Sequence, residues 1–178
     1  FIGGDEGLAE FEYTTGTFRT ISAFAGRRIT AVTEATDGVL LVIANNHLFE
    51  YSLSGTAAVT CNEQKQPGFF AKQAVYCLYK KGHLIYAGTS GGYIVYDMQV
   101  QKAERKDIRM LENAQADRIA ADATGNIWVA NVFQFKLIRK DVSTGNEAAI
   151  DKLPAIAAKG VQQSYLGMVA DEKNVWIT

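Results

Sequence analysis

The sequence predicts an all-β fold in which one small antiparallel sheet is repeated along the chain. A short apolar phrase that ends in a small residue recurs about every forty residues. The second to fifth copies each follow a tight turn that contains Gly or Asn, which tolerate the backbone conformations that hairpins need. The same order of strands and turns follows the first four copies. Repeats of four antiparallel strands are typical of a β-propeller, in which four-stranded blades stack radially around a channel.

The recurring phrase is interpreted as the second strand of each unit. Its copies are Phe1-Ile2-Gly3, Val42-Ile43-Ala44, Tyr86-Ala87-Gly88, Ile127-Trp128-Val129-Ala130 and Val175-Trp176-Ile177-Thr178. Strands that are covered on both faces are almost continuously apolar, as these are. We expect the small residue of each copy to lie near the axis, where the side chains of neighbouring blades crowd together.

The other strands are placed by the same register. The first strands are Ile29 to Val32, Val75 to Leu78, Ile119 to Ala121 and Leu166 to Val169. The third strands, rich in β-branched and aromatic residues, are Leu8 to Phe11, Leu48 to Tyr51, Tyr93 to Tyr96 and Phe135 to Ile138. A more polar fourth strand closes the unit, for example at Thr17 to Ile21 and at Ala57 to Thr60.

These units divide the single domain 1–178 into segments 1–28, 29–73, 74–117, 118–164 and 165–178, which correspond to about four blades. Residues 102–123 are rich in good helix formers, so their local composition favours a helix. The register instead predicts a strand, a loop and a strand there. Extra residues between Ile150 and Ser164 are expected in an inter-blade loop, with a short helix at Ala155 to Ala158.

Composition excludes some classes of function. The 178 residues carry a net charge of −1, whereas a nucleic-acid surface needs clustered positive charge. No apolar run approaches the roughly 18 residues of a membrane-spanning helix, so direct membrane insertion is not expected. Cys61 and Cys77 are interpreted as two buried thiols rather than as a disulfide.

Sequence motifs for catalysis are not found. Only His47 and His83 are present, and no His, Cys and acid cluster has metal-ligand spacing. His83 is expected in an exposed turn. The segment Thr89-Ser90-Gly91-Gly92 is interpreted as a link between strands and not as a phosphate cradle, since no helix pattern follows it. We therefore expect no catalytic residue, no metal and no cofactor.

Candidate ligand-binding residues follow from the topology. The turn between the second and third strands of a blade and the link to the next blade lie at the same end of the sheets, and binding residues concentrate on such loops. Amides and basic groups suit sugar hydroxyls, and an aromatic ring suits stacking on a sugar. The candidates are Arg27, Arg28, Asn45, Asn46, His47, Asn131, Phe133 and Gln134.

The third unit, Tyr86-Ala87-Gly88-Thr89-Ser90-Gly91-Gly92-Tyr93-Ile94-Val95-Tyr96-Asp97, resembles the two-component regulator propeller repeat. The resemblance extends to Asp122-Ala123-Thr124-Gly125-Asn126-Ile127-Trp128-Val129-Ala130 and to Phe1-Ile2-Gly3-Gly4-Asp5-Glu6-Gly7-Leu8. Units two and four depart from the repeat, with Ala44-Asn45-Asn46-His47 and Phe133-Gln134-Phe135 where the family has small residues and a Gly-Gly pair.

The resemblance implies the periplasmic sensor region of a hybrid two-component histidine kinase, an inner-membrane protein. It further implies a non-catalytic role in detecting an oligosaccharide, adjacent propeller or sandwich domains, and a homodimer in the full-length protein. The family's rings are larger and both ends of the chain fall in mid-blade. We therefore expect a segment cut from a larger, seven-bladed propeller.

Two other functions remain open at the level of sequence. One is a propeller enzyme of the lyase or lactonase kind, which needs metal-binding acids or a catalytic His near the channel mouth, where His47, Asp5 and Glu6 are the only candidates. The other is a scaffold that binds proteins through its rim or face.

Overall fold

The computed structural model describes residues 1–36, 38–53, 61–63, 73–134, 136–150, 168–170 and 174–177. In this part of the chain the regular structure is β-strand, as the sequence predicts, and it also contains two short 3₁₀ helices. The strands pair antiparallel throughout. None of the described segments forms a helix with the length and apolar character that crossing a membrane requires.

Within the described ranges, five sheets follow one another in chain order. The first contains β1 (Ile2–Gly4), β2 (Gly7–Glu12) and β3 (Thr17–Thr20). The second contains β4 (Ile29–Thr36), β5 (Val39–Ala44), β6 (His47–Ser52) and β7 (Cys61–Glu63). The third contains β8 (Cys77–Lys81), β9 (Leu84–Thr89), β10 (Gly92–Asp97) and β11 (Lys102–Asp107). The fourth contains β12 (Arg118–Ala121), β13 (Ile127–Asn131), β14 (Lys136–Lys140) and β15 (Glu147–Ile150), and the fifth β16 (Met168–Ala170) and β17 (Val175–Ile177).

The hydrophobic cores lie between successive sheets. Leu8 of the first sheet packs with Val42 and Phe49 of the second. Leu41 and Ile43, on the opposite face of β5, pack with residues of the third sheet. A third core joins the third and fourth sheets. Because adjacent residues of β5 enter different cores, that strand has to be apolar at nearly every position, which explains the predicted phrase.

The small residue of the phrase is crowded as expected, but its position in unit two is corrected. A Cβ built on Gly3 would lie 2.5 Å from Cγ2 of Ile29, which belongs to the following sheet. Ala44 instead packs with Leu8 of the preceding sheet. Ile43 is the residue of β5 that faces the following sheet. The small-residue marker in unit two is thus one residue out of phase, since face is set by strict alternation along a strand.

The predicted strand, loop and strand over residues 102–123 is confirmed. β11 pairs with β10 along its full length, and β12 begins after a link that contains a single 3₁₀ turn. Cross-strand hydrogen bonding and side-chain burial against the neighbouring sheet override the local helix propensity.

The fourth strand of unit two is found at Cys61–Glu63, paired with β6. Several predictions fall outside the described residues. They are the strand at Ala57 to Thr60, the turn Ser54-Gly55, the start of the third strand at Phe135, the short helix at Ala155 to Ala158 and the loop around it.

The turn between β12 and β13 is organised by one carboxylate. Asp122 accepts hydrogen bonds from the backbone nitrogens of Thr124 and Asn126, both at 3.0 Å, and from Nε1 of Trp128 at 2.8 Å. Burial raises the pKa of Asp122, but the hydrogen bonds from Trp128, Thr124 and Asn126 outweigh it and lower the pKa to about 2. The charged form therefore stabilises the folded state.

Asp122→Asn is expected to lower stability by about 1 kcal/mol at pH 7, after discounting the shift for solvent screening. A lowered pKa contributes stability that is complete above the ordinary value of 3.8 and is lost as the pH falls towards 2. Urea unfolding of both proteins at pH 7 and pH 2.5 checks this. A stability difference that stays constant between the two pH values would contradict it.

Candidate functional site

One end of the sheets brings together the turns between second and third strands and the links between sheets. We call this end the link face. It contains the turns at Asp5-Glu6, Asn45-Asn46, Ser90-Gly91 and 132–134, and the links 21–28 and 108–117. Backbone hydrogen bonds fix each link to the turns, for example from Gly26 N to Glu6 O at 3.0 Å and from Gly91 N to Ala114 O at 2.6 Å. The predicted meeting of turns and links at one end is confirmed.

The two described links share a local backbone conformation that the sequence analysis missed. Each contains a 3₁₀ turn, at Ser22–Phe24 and at Arg109–Leu111, and the residue two positions after each turn has a positive φ. Those residues are Gly26 (φ 68°) and Asn113 (φ 62°). The signal in the sequence is a buried Ile three residues before a buried Phe or Leu, followed by Gly or Asn.

A first group of candidate residues lies where the first two sheets meet. The Arg28 backbone N–H donates to Oδ1 of Asn45 at 3.0 Å, and Asn45 N donates to the Arg28 carbonyl at 2.9 Å. The Arg28 side chain pairs with Asp5 at 3.2 Å, and both side chains are exposed. Asn45 thus clamps the link while the guanidinium of Arg28 stays accessible to a ligand.

Arg27 and Asn46 complete this group. The guanidinium carbon of Arg27 lies 4.9 Å above the ring of Phe49, a cation–π arrangement that holds the side chain against the sheet. Asn45 and Asn46 both have positive φ, at 50° and 63°, and form a two-residue hairpin turn, after which His47 begins β6. Asn46 is exposed and His47 is half-buried.

A second group of candidate residues follows β13. Asn131 is buried and donates from Nδ2 to the Gln115 carbonyl at 2.7 Å, while its Oδ1 accepts from Gln134 N at 2.5 Å. Asp117 accepts from Val132 N at 2.8 Å. These bonds fix the turn that presents Phe133, which is 75% exposed, and the exposed Gln134. Asn131 therefore positions the turn, and Phe133 and Gln134 are the residues available to a ligand.

The structure thus places five of the eight candidates where the first two sheets meet, and three at the end of β13 and in the turn that follows it. Asn45 of the first group bonds to the link at Arg28, whereas Asn131 of the second bonds to the link at Gln115, so the two groups are built on different links. Four polar residues at the third sheet lie between them and were missed: Gln73, Ser90, Arg105 and Asn113. Ser90 sits in the turn equivalent to Asn45-Asn46, which was a usable signal, whereas Arg105 is on an outer strand and gave none.

The described histidine and cysteine outside the two candidate groups, His83 and Cys77, have structural surroundings. His83 is in an exposed turn, as predicted, and lies 3.6 Å from Asp97. Burial raises the pKa of Cys77 to about 12, and its Sγ donates to the Ala116 carbonyl at 3.3 Å, so the thiol stays protonated at neutral pH. Across the described segments, no three His, Cys, Asp or Glu side chains are grouped so as to hold a metal ion.

The sequence matches no family model and no curated protein. The fold, in contrast, is similar to that of solved structures. One is the extracellular domain of a protein assigned as a hybrid two-component system of B. thetaiotaomicron, with a TM-score of 0.69 and 15% identity over 98% of this chain. A second is a calcium-binding protein, regucalcin, of Agrobacterium tumefaciens, with a TM-score of 0.66 and 13% identity over 97% of this chain.

A third is virginiamycin B lyase of Staphylococcus aureus, with a TM-score of 0.61 and 12% identity over 98% of this chain. The chain spans 24%, 60% and 56% of these three structures respectively. Identities this low show the fold alone. The chain therefore has an all-β, propeller-like fold, which a lyase, a calcium-binding protein and the extracellular domain of a protein assigned as a two-component system share.

Proposed function

We propose that this chain is a non-catalytic, ligand-binding part of the periplasmic sensor region of a hybrid two-component system. It belongs to a larger, seven-bladed propeller and helps to detect an oligosaccharide or a similar small ligand. The responding kinase and the adjacent propeller or sandwich domains belong to the full-length sensor, which forms a homodimer. The similarity in fold to the extracellular domain of a protein assigned as a hybrid two-component system supports this proposal.

The observation that carries the proposal is the build of the link face. Exposed polar side chains stand on turns whose backbones are fixed by hydrogen bonds from the links, as with Asn45 and Arg28. Such preorganised polar groups lower the entropic cost of binding a flexible polyol. Phe133 adds an exposed aromatic ring, which suits the apolar face of a sugar. Arg27, Arg28, Asn46, His47, Phe133 and Gln134 are proposed to contact the ligand, and Asn45 and Asn131 to hold the turns and the link that present them.

Thermal unfolding of the chain in the presence of individual hexasaccharides tests this function. A ligand at about 100 times its Kd stabilises the folded state by about 2.7 kcal/mol, which raises the midpoint by a few degrees. Arg28→Met is expected to reduce this shift, because it removes the exposed guanidinium while leaving the backbone clamp of Asn45. Arg19→Met, on the outer strand β3, is the matched control and is expected to keep it. If no saccharide shifts the midpoint, the proposed function is rejected.

A further inference from the structure

One face of the first sheet points away from the rest of the fold. Leu8 enters the core that this sheet shares with the second sheet. Because side chains alternate along a strand, the residues next to Leu8 and those paired with them point the other way. That side, which we call the open face, consists of Ile2, Ala9, Phe11 and Phe18, which the pairing of β1, β2 and β3 places in register.

The open face is apolar and exposed to solvent. Phe18 is 63% exposed and Ile2 is 57% exposed. The ring centroids of Phe11 and Phe18 lie 4.9 Å apart, and the exposed ring of Tyr13 packs edge-on against Phe11 at 5.2 Å. A contiguous exposed apolar surface of this kind marks a site of interaction.

The position of Phe11 is buried in the sheets that follow. The third strands β2, β6 and β10 start in the same register, and their fifth residues are Phe11, Tyr51 and Tyr96. Tyr51 is 6% exposed and lies in the core shared with the first sheet, and Tyr96 is 3% exposed in the core shared with the second sheet. In both cases the preceding sheet covers the ring.

The position of Ile2 follows the same rule. Its counterparts on the second strands are Val42, Ala87 and Val129, each paired with the third residue of the strand that follows. These three are fully buried, in the cores shared with the first, second and third sheets respectively. Sheets two to four are therefore covered on this side by the sheet before them.

A link completes this packing at the second sheet. The ring centroid of Phe24, in the first link, lies 5.5 Å from that of Tyr51. In the fourth sheet Lys140 stands at the equivalent position, and its Nζ donates to the backbone carbonyl of Asp107. Phe11 resembles Tyr51 in chemistry and not Lys140, so the open face suits a link that brings an apolar side chain.

The chemistry of the open face favours one kind of partner. Arg19 and Glu10, which pair with each other, lie on the side of the sheet that faces the second sheet. The four side chains of the open face carry no polar group, so an apolar sheet covers them without desolvating a charge. Two open faces packed together would bring no link over Phe11, which favours a propeller sheet over a second copy of the chain.

We propose that the open face binds the neighbouring sheet of the larger propeller, and that the link of that sheet places an apolar side chain over Phe11. The partner is an antiparallel sheet with an apolar face, followed by a link of the kind formed by residues 21–28. This proposal rests on the proposed function, in which the chain is part of a larger propeller, and deepens it by naming the partner of the first sheet.

Hydroxyl-radical footprinting, which measures the exposure of individual side chains, tests this proposal. The 178-residue chain and the full-length sensor are oxidised under the same conditions. Phe18 is expected to be oxidised at least about fivefold more slowly in the full-length sensor than in the 178-residue chain, because the partner covers it. Phe133, a Phe of similar exposure on the link face, is the matched control and is expected to change less than about twofold.

A second measurement compares Phe18→Lys with Phe133→Lys. In the 178-residue chain both substitutions are expected to shift the thermal midpoint by less than about 2 °C, because both side chains are exposed. In the full-length sensor Phe18→Lys is expected to lower the midpoint of the propeller by more than about 5 °C, because it buries a charge against an apolar sheet. Phe133→Lys is expected to leave that midpoint within about 2 °C.

Equal oxidation of Phe18 in the two proteins, or equal effects of the two Lys variants in the full-length sensor, overturns the proposal. Oxidation of Phe18 that slows in the 178-residue chain as its concentration rises assigns the open face to a second copy, and also overturns it. Saccharide binding by a full-length sensor in which Phe18 stays exposed rejects the docking site and retains the proposed function. Protection of Phe18 without any saccharide-induced shift retains the docking site and rejects the ligand-binding role.

Discussion

Gly88→Ala is expected to destabilise the chain by about 3 kcal/mol or more, because the added methyl group has no room. A Cβ at this position would lie 2.2 Å from the Ala116 carbonyl oxygen and 2.5 Å from Sγ of Cys77. The Ala116 backbone cannot yield easily, since its N–H donates to the Thr89 carbonyl at 2.9 Å and its carbonyl accepts from Cys77. The methyl group therefore pushes the link away from the third sheet and breaks the pairing between them.

Urea unfolding followed by tryptophan fluorescence measures this change. The matched control is Gly4→Ala in β1, where nothing lies within 4 Å of the added Cβ and φ is ordinary. It is expected to change the free energy of unfolding by less than about 0.5 kcal/mol. Equal effects of the two substitutions would show that close packing at Gly88 does not support the fold.

The close contacts at Gly88 show which features of the fold could be predicted from the sequence and which could not. The small residue at Gly88 was recognised because it recurs in the phrase, and the strands around it followed from alternation and turn residues. The sequence analysis attributed the crowding to side chains of neighbouring blades. At Gly88 the close neighbours are instead the backbone of a link and the sulfur of Cys77 on β8. A close approach of backbone atoms leaves no pattern in side-chain chemistry, so it had to be seen in the structure.

The candidate site was predictable to a similar extent. Arg28 and Asn45 come together because one lies on a link and the other on a turn at the same end of the sheets, which topology alone required. Asn131 was placed at the correct turn, but its burial was not foreseen, because an amide can either face a ligand or satisfy a neighbouring backbone. Arg105 was not singled out, and its partners Gln73 and Ser90 lie 32 and 15 residues away in sequence. Contacts that distant are set by how the sheets pack and not by local spacing.

The first link, residues 21–28, is held against the second sheet by the buried ring of Phe24. Phe24 is fully buried in the 3₁₀ turn, with its ring centroid 5.7 Å from that of Phe49 and 5.5 Å from that of Tyr51. Both arrangements are edge-to-face, which adds to the stabilisation from burial. The Phe24 carbonyl also accepts from Arg27 N at 3.1 Å, so the ring fixes the start of the segment that carries Arg27 and Arg28.

Phe24→Ala is accordingly expected to lower stability by about 3–5 kcal/mol, the cost of a large cavity at a fully buried site. Phe133→Ala removes the same atoms from a side chain that is 75% exposed, and is expected to lower the free energy of unfolding by less than about 0.5 kcal/mol.

Amide hydrogen exchange of the milder variant Phe24→Leu adds a local measurement. Exchange should become faster at Gly26 and Arg27 than at Gly91, because the cavity loosens the first link and not the second. Similar stability losses in the two Ala variants, or uniform exchange in Phe24→Leu, would mean that the ring does not organise this part of the link face.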